Sequence, residues 1–140
     1  MFSALLLLRE QFPNIKLKII GGSPRKETEY ISKFILDHSL QNNISQIGWV
    51  QYEDVSKHLK NSDIGLILYS PSKNNLYSTS NKLFNYIASN LSIVSLDLPE
   101  TKKILNPLNN SIIVKNNNST KISDAISILI KDPKLLLESV

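Results

Sequence analysis

Three small hydroxyl residues and a lysine stand together in the middle of the chain. Ser78, Thr79 and Ser80 precede an apolar-periodic stretch, and Lys82 lies in the first turn of the helix that this stretch predicts. A serine before a helix acts as an N-cap, and the N–H groups of the first turn attract anions. A lysine at this end opposes the helix dipole, which favours an anionic partner over the alternative of a solvated side chain. The cluster therefore predicts a phosphate-binding helix N-terminus.

The residues after this cluster predict the helix and the strand that would hold it in place. The helix spans Ser80–Ser89, because apolar side chains recur there at helical spacing. Those side chains are Leu83, Phe84, Ile87 and Ala88, which share one face of the helix by this spacing. Asn90 follows where a residue in the left-handed conformation ends a helix. The apolar run Leu91–Leu96 then predicts a buried strand, with Asp97 in the turn behind it.

Strand-like and helix-like stretches alternate along the rest of the chain. We predict strands over Ile15–Ile20, Ile44–Trp49, Ile64–Tyr69, Leu91–Leu96 and Ser111–Lys115. After an opening amphipathic helix, we predict helices over Glu27–His38, Tyr52–Asn61, Ser80–Ser89, Pro99–Leu105 and Lys121–Lys131, and a further helical turn over Lys134–Val140. This alternation is typical of a parallel sheet with helices on both faces. We expect a single-domain, doubly wound, Rossmann-like α/β fold.

Composition and charge exclude several classes of protein. With 140 residues, 41% hydrophobic and 20% charged, the chain has the size and composition of one globular domain. It contains no cysteine, so disulfide and thiolate chemistry are excluded. The net charge of +4 is dispersed, without the basic stripe and interleaved aromatics typical of nucleic-acid-binding proteins. The short apolar run at the start argues against a membrane span or a signal peptide. The asparagine pairs are typical of turns, and we assign them no further role.

Glycines follow two of the predicted strands. In an open parallel sheet, ligands bind at the carboxyl ends of the strands, where the strand order reverses. Gly21, Gly22 and Gly48 stand at such ends, and Trp49 and Val50 follow directly; the next two strands end at residues 69–70 and at Asp97. Glycine lets a ligand approach the backbone closely. A tight strand-to-helix turn explains each of these glycines equally well, so both interpretations stay open.

Four segments of the chain together resemble one family. Residues 78–100, STSNKLFNYIASNLSIVSLDLPE, are similar to the donor-binding motif of GT-B glycosyltransferases, in particular the retaining family called group 1 or GT4. In that family the motif commonly reads like PNKLFEYMAAGLPVVASDLPE. Residues 16–22 (KLKIIGG), 48–59 (GWVQYEDVSKHL) and 61–72 (NSDIGLILYSPS) resemble three further segments of the family, in the same order. The resemblance covers nearly the whole chain.

The resemblance implies a binding site for a nucleotide-sugar. The residues implied to bind it are Gly21, Gly22, Gly48, Trp49, Val50, Ser80, Asn81, Lys82 and Asn85. The turn 48–50 would line the base, and the helix start at 80–82 would bind the diphosphate. The family needs no bound metal or cofactor, and the two histidines of this chain have no second ligand at metal-binding spacing. Catalytic residues are not identified.

Two positions depart from the family motif. The family carries two glutamates eight positions apart, and aligned on KLF-x-YIA these positions are Tyr77 and Asn85. The first glutamate lies near the donor sugar, and the second holds the ribose hydroxyls. Replacing a carboxylate by an amide loses a charge-assisted interaction of about 1.5–3 kcal/mol. The resemblance therefore implies a degenerate position at Tyr77 and weakened ribose binding at Asn85.

The resemblance also implies that part of the enzyme lies outside this chain. We interpret residues 1–140 as the C-terminal donor-binding domain, without its first strand and without the N-terminal acceptor domain. We expect the isolated chain to be inactive. Loss of a central strand would leave unpaired edges that promote aggregation. We therefore predict that the sheet closes to five strands in the order 2-1-3-4-5, or that a homodimer or a partner supplies the missing strand.

The predicted function is transfer of a sugar, with retention, from a UDP-, GDP- or ADP-sugar in glycan or polysaccharide biosynthesis. The alternative is a non-catalytic nucleotide-sugar-binding module or pseudoenzyme. An unrelated doubly wound domain, such as a flavodoxin or a phospho-receiver, is a third interpretation; a receiver needs clustered acids, and Asp97 is the one acid at a strand end. We expect a cytoplasmic protein, with peripheral contact at the inner face of the membrane as a further expectation, and no nucleic-acid partner.

Overall fold

Helices and strands alternate along the computed structural model, which describes residues 1–132, 134 and 135. The helices are α1 (Phe2–Gln11), α2 (Arg25–Asp37), α3 (Tyr52–Leu59), α4 (Lys73–Tyr77), α5 (Asn81–Ala88), α6 (Pro99–Leu105) and α7 (Ser119–Lys131). The strands are β1 (Leu17–Ile20), β2 (Ile44–Gly48), β3 (Ile64–Ile67), β4 (Ser92–Leu96) and β5 (Ser111–Val114). Most of the further helical turn predicted over 134–140 lies outside the described residues. Of the helices described, none has the length and apolar character needed to cross a membrane.

The strands form two parallel sheets. β1 pairs with β2 in the first sheet, and β4 lies between β3 and β5 in the second. The register pairs Leu17 with Ile44 in the first sheet and Ile64 with Ser92 in the second. The parallel strands and the alternation of strands and helices confirm the predicted α/β class.

The predicted pairing of β1 with β3 is absent from the described part of the chain, so the continuous sheet of order 2-1-3-4-5 does not form. The Ser92 N–H donates to the Asp63 carbonyl at 3.0 Å. The backbone carbonyls of Asp63 and Gly65 therefore point towards β4, and the carbonyl of Leu66 points to the opposite edge of β3. Tyr86 of α5 donates its hydroxyl to the Leu66 carbonyl at 3.4 Å. A side chain thus covers part of the edge that a closed sheet would use for pairing with β1.

The first helix joins the two sheets by apolar packing. Ala4 and Leu8 of α1 belong to the buried cluster formed with β4, β5 and α7, whereas Leu5 belongs to the cluster beside β2. The helix also contacts α7, where Lys131 Nζ donates to Gln11 Oε1 at 3.3 Å. Apolar packing against this shared helix therefore holds the two sheets together, without hydrogen bonds between β1 and β3.

α5 packs against β3 through one tyrosine and one glycine. A Cβ atom added at Gly65 would lie 2.4 Å from the ring of Tyr86, so the glycine leaves the space that this ring occupies. Asn90 has a φ of 55°, which confirms the predicted left-handed end of the helix. On the face that the spacing defines, Leu83 is fully buried and Ile87 is half-buried, whereas Phe84 is 53% exposed and Ala88 is exposed. Tyr86, outside that face, supplies the contact with β3.

α4 is a short helix that the sequence pattern did not predict. It begins after Ser72, whose hydroxyl accepts a hydrogen bond from the Asn75 N–H at 3.3 Å. The Asn75 side chain also donates to the Ser70 carbonyl at 2.8 Å. Five residues are too few to show a hydrophobic period. The helix is instead stabilised by side-chain capping.

Asn43 has a structural role that its asparagine-rich surroundings conceal. The residue is buried, and its Nδ2 donates to the Pro13 carbonyl at 3.0 Å and to the Ile15 carbonyl at 2.8 Å. These bonds tie the turn between α1 and β1 to the start of β2. The interpretation that this asparagine has no role beyond forming a turn is therefore wrong.

Candidate functional site

The hydroxyl and lysine cluster lies at the start of α5. Ser80 is the N-cap, as the sequence predicts, since its Oγ accepts the Lys82 N–H at 3.2 Å. Its carbonyl accepts the Leu83 N–H at 3.0 Å, so these two donors are already engaged within the helix. Asn81 is exposed at the first helical position. Positive charge at this end comes from the helix dipole and from the ammonium group of the exposed Lys82.

Tyr69, two residues after the end of β3, completes this group of side chains. Its hydroxyl lies 3.3 Å from Ser80 Oγ, and Lys82 Nζ lies 5.0 Å from its ring centroid. Burial raises the pKa of Tyr69, but hydrogen bonds to Ser80 and Lys82, together with the lysine charge, outweigh burial and lower the pKa below its ordinary value. A cation–π contact of this kind contributes about 0.5–1 kcal/mol at exposed sites. We call these three residues the Tyr69–Ser80–Lys82 cluster.

A cavity of about 300 Å³ opens beside this cluster. The residues that line it are Tyr69, Asn75, Ser78, Ser80, Leu98 and Thr101. The last two are almost completely buried and form the closed side of the cavity. Its volume lies at the lower end of the range for small-molecule sites. Tyr69, Asn75 and Thr101 were not among the predicted binding residues, because contacts between separate segments bring them together; Tyr69 and Ser80, for example, are 11 residues apart.

A second cavity, of about 380 Å³, lies at the carboxyl ends of β1 and β2. Its lining includes Gly21, Gly22 and Gly48 together with the hydroxyl residues Ser23 and Thr28. Gly21 and Gly48 have φ values of 122° and 76°, which side-chain-bearing residues rarely adopt. The Gly21 N–H donates to the Gly48 carbonyl at 2.7 Å and so joins the two turns. The structure therefore brings the three predicted glycines together on one concave surface, the glycine-turn cavity.

Five predicted site residues lie outside the lining of these two cavities, namely Asn81 and Lys82 at the start of α5, and Trp49, Val50 and Asn85. Trp49 is 71% exposed, Val50 is half-buried, and both lie in the connection from β2 to α3. Asn85 is half-buried on α5, and its Oδ1 accepts a hydrogen bond from the hydroxyl of Tyr52 at 3.4 Å. Tyr52 is the first residue of α3 and was not predicted as a site residue. Local spacing could not reveal it, because the two residues are 33 positions apart.

The acidic groups near the site are few. Tyr77, at the position of the first family glutamate, is 81% exposed at the end of α4, and it is the next residue, Ser78, that lines the 300 Å³ cavity. Asp97 pairs with Lys102 at 3.1 Å. Within the described part of the chain, no group of three or more His, Cys, Asp or Glu residues is arranged to hold a metal ion. The site can therefore recognise anions and hydroxyl groups through lysine, amide, hydroxyl and backbone groups.

Comparisons with known proteins agree with this fold. A family model described as "Glycosyl transferases group 1" matches residues 1–138. The structure is similar to sucrose-phosphate synthase from Thermosynechococcus elongatus, with a TM-score of 0.76 at 15% identity. It is also similar to WaaG, a glycosyltransferase involved in lipopolysaccharide biosynthesis, with a TM-score of 0.73 at 14% identity. Both similarities cover 99% of this chain but 36% and 35% of the other chains, so it spans about a third of their length. No curated protein sequence matches the chain.

Proposed function

Because this chain belongs to the group 1 family of glycosyltransferases, we propose that it binds the nucleotide-sugar donor of a glycosyl transfer reaction. The observation that carries the proposal is the Tyr69–Ser80–Lys82 cluster, where a cation, hydroxyl groups and a helix N-terminus converge beside a cavity. Negative charge grows on the diphosphate as its bond to the sugar breaks. Positive groups fixed at that point stabilise the transition state.

The other predicted residues would bind the nucleoside. Gly21, Gly22 and Gly48 leave room for close approach to the backbone in the glycine-turn cavity, while Trp49 and Val50 would line the base. Asn81 would add its backbone N–H to the diphosphate site. The donor would be a UDP-, GDP- or ADP-sugar. Its sugar would be transferred with retention to an acceptor in glycan or polysaccharide biosynthesis. Lys82 and the helix dipole supply the positive charge, so this scheme calls for no metal ion.

We further propose that the chain acts together with a second domain, since it spans about a third of the two similar structures. That domain would bind the acceptor, so the isolated chain would bind the donor without transferring the sugar. The open edges of β1 and β3 would pair with a strand from this domain or from a second copy of the chain. In this scheme the protein works in the cytoplasm, peripherally at the inner face of the membrane, where its net charge of +4 favours anionic lipids.

A second candidate function is nucleotide-sugar binding without catalysis. Asn85 is neutral and already bonded to Tyr52, and Tyr77 is exposed, so neither residue supplies the carboxylate of the family motif. This arrangement favours a weakened donor site. An Asn85→Glu variant measures how far the donor site is weakened, because a large gain in affinity, or binding that appears only in the variant, indicates a decayed site.

Calorimetry with UDP-, GDP- and ADP-sugars tests the proposed function. We expect the native chain to bind donors of one base, and Lys82→Met to weaken that binding on the order of 10-fold or more through loss of a charged hydrogen bond to phosphate. Lys33→Met, at an exposed position on α2, is the matched control and should leave binding unchanged. Equal effects of the two substitutions, or no binding by either the native chain or Asn85→Glu, contradict the proposal.

A further inference from the structure

On the basis of the proposed function, we infer that the donor sugar carries an acetamido group, and that this group binds in the 300 Å³ cavity beside the start of α5. Thr101 and Asn75 supply its hydrogen-bond partners, and Leu98 contacts its methyl group. Thr101 and Asn75 are therefore specificity-determining residues of the donor site, contributed by α6 and α4.

The Thr101 hydroxyl carries this inference. The residue is 1% exposed, yet it lines the cavity, and its side chain makes no hydrogen bond to any residue that the structure describes. Every fully enclosed side-chain nitrogen and oxygen in that part of the chain has a partner, so the Thr101 oxygen must keep its access through the cavity. A nearly buried hydroxyl without a partner costs free energy, which a ligand that bonds to it recovers.

Asn75 supplies a second hydrogen-bonding group, from α4. Its Nδ2 donates to the Ser70 carbonyl at 2.8 Å, which leaves Oδ1 as the acceptor of this amide for a ligand. The neighbouring Ser78 already donates its hydroxyl to the Asn74 carbonyl. The lining thus offers a ligand a hydroxyl at Thr101 and an acceptor oxygen at Asn75.

An acetamido group matches these partners and the apolar wall between them and the core. Its N–H donates to Asn75 Oδ1, its carbonyl accepts from the Thr101 hydroxyl, and its methyl group packs on Leu98, which is 2% exposed. A sugar hydroxyl would leave the leucine wall against water. A sugar carboxylate would be desolvated among six lining residues that are all neutral, at a large cost in free energy.

The position of the cavity indicates which sugar carbon carries the group. Tyr69 and Ser80 line the cavity and also belong to the cluster that we propose for the diphosphate. Since the diphosphate is bonded to C1 of the sugar, the substituent at C2 lies nearest to this cluster. The cavity has about ten times the volume that one molecule occupies in liquid water, which leaves room for the group. The donor is therefore a nucleotide of a 2-acetamido sugar.

Calorimetry with a matched pair of donors tests the inference, using the base that the native chain prefers; for uracil the pair is UDP-N-acetylglucosamine and UDP-glucose. We expect the acetamido donor to bind on the order of 10-fold or more tightly than the hydroxyl donor. Thr101→Val keeps the shape of the side chain and removes the hydroxyl. It should weaken binding of the acetamido donor on the order of 3- to 10-fold, and leave binding of the hydroxyl donor and of the nucleoside diphosphate unchanged.

Two further variants separate recognition from folding. Thr101→Ser keeps the hydroxyl and should keep the preference, and Thr120→Val, at an exposed position on α7, is the control that should change no affinity. Because the Thr101 hydroxyl has no partner among the described residues, thermal unfolding of Thr101→Val should occur at or above the native temperature.

The outcomes distinguish this inference from the proposed function. If the chain binds the nucleoside diphosphate but does not prefer the acetamido donor, or if Thr101→Val weakens both donors alike, the acetamido site is overturned while donor binding stands. If neither the native chain nor Asn85→Glu binds any nucleotide or nucleotide-sugar, the proposed function and the acetamido site fail together.

Discussion

The two sheets of this molecule differ in how their strands are buried. β4 has a strand partner on each side, and all of its residues are buried. β1 has one partner among the described residues, and each of its residues is half-buried. The buried apolar cluster of the first sheet consists of Leu5 from α1, Leu40 and Ile44. A strand with two partners forms the core itself, whereas a strand with one partner depends on the helices packed against it.

The candidate binding groups divide in the same way. The Tyr69–Ser80–Lys82 cluster lies after the end of β3 and at the start of α5, both of which contact the buried β4, whereas the glycine-turn cavity lies at the ends of β1 and β2. Packing of α5 against β3 and β4 fixes the helix start that carries Lys82 before a ligand arrives. We therefore expect the phosphate end of the site to stay formed under conditions that loosen the nucleoside end.

The largest expected effect is the difference between two isoleucine truncations. Ile93→Ala in β4 removes a side chain that is 1% exposed and should lower the free energy of unfolding by about 2–5 kcal/mol. Ile19→Ala in β1 removes a half-buried side chain and should cost about 1–2 kcal/mol. Urea denaturation of both variants measures the difference. Equal losses would mean that the first sheet is as tightly packed as the second.

A smaller effect is expected at the polar anchor of the first sheet. Asn43→Ala removes two hydrogen bonds and leaves the carbonyls of Pro13 and Ile15 without this donor, which should cost about 1–3 kcal/mol. The neighbouring Asn42 is exposed, so Asn42→Ala should change stability by less than about 0.5 kcal/mol. Chemical denaturation compares the two. A similar small effect for both would show that packing of α1 alone holds β1 in place.

The smallest expected effect is the contribution of Tyr69 and Tyr86 to stability at alkaline pH. Burial raises the pKa of Tyr86, and the nearby Tyr69 raises it further. A group whose pKa is raised on folding stabilises the protein below the unfolded-state pKa, and this contribution is lost as the pH rises through the folded-state pKa. The pKa of Tyr69 is lowered, so its contribution has the opposite sign and is present above the unfolded-state value.

Urea denaturation from about pH 8 to about pH 11 measures both contributions, since tyrosine ordinarily titrates near pH 10. We expect Tyr86→Phe to flatten the alkaline loss of stability and Tyr69→Phe to make it steeper. Lys82→Met, which removes the charge beside Tyr69, should raise the pKa of that tyrosine, as measured by tyrosinate absorbance. Identical alkaline profiles for the two phenylalanine variants contradict the assignment of opposite signs.

The local parts of the fold could be predicted from the sequence. Apolar spacing located β4, and residue chemistry located the Ser80 cap and the left-handed Asn90, since each depends on a few neighbouring residues. α4 was missed because it is capped rather than amphipathic. The pairing of β1 with β3 was predicted from the need to close a sheet, and the sequence could not show that Tyr86 reaches the Leu66 carbonyl on that edge.

The site was predictable only where one segment carries it. The family motif and the helix start identified Ser80 and Lys82, but the contacts of Tyr69 with Ser80 and of Tyr52 with Asn85 join separate elements. Such contacts depend on how the helices pack against the sheet, and the spacing of residues within one segment does not predict that packing. The predicted glycines at 21, 22 and 48 meet in one cavity because parallel strands end at the same edge.

The contact between α1 and α7 has a consequence for how the chain folds during synthesis. Gln11 and Lys131 are separated by 120 residues, so the ribosome makes the second about 6–24 s after the first at ordinary elongation rates of about 5–20 residues per second. During that interval the apolar face of α1 has no α7 to cover it. The helix that joins the two sheets is thus made before the strands and helices that it packs against, and until α7 is made its apolar face is open to chaperones and proteases.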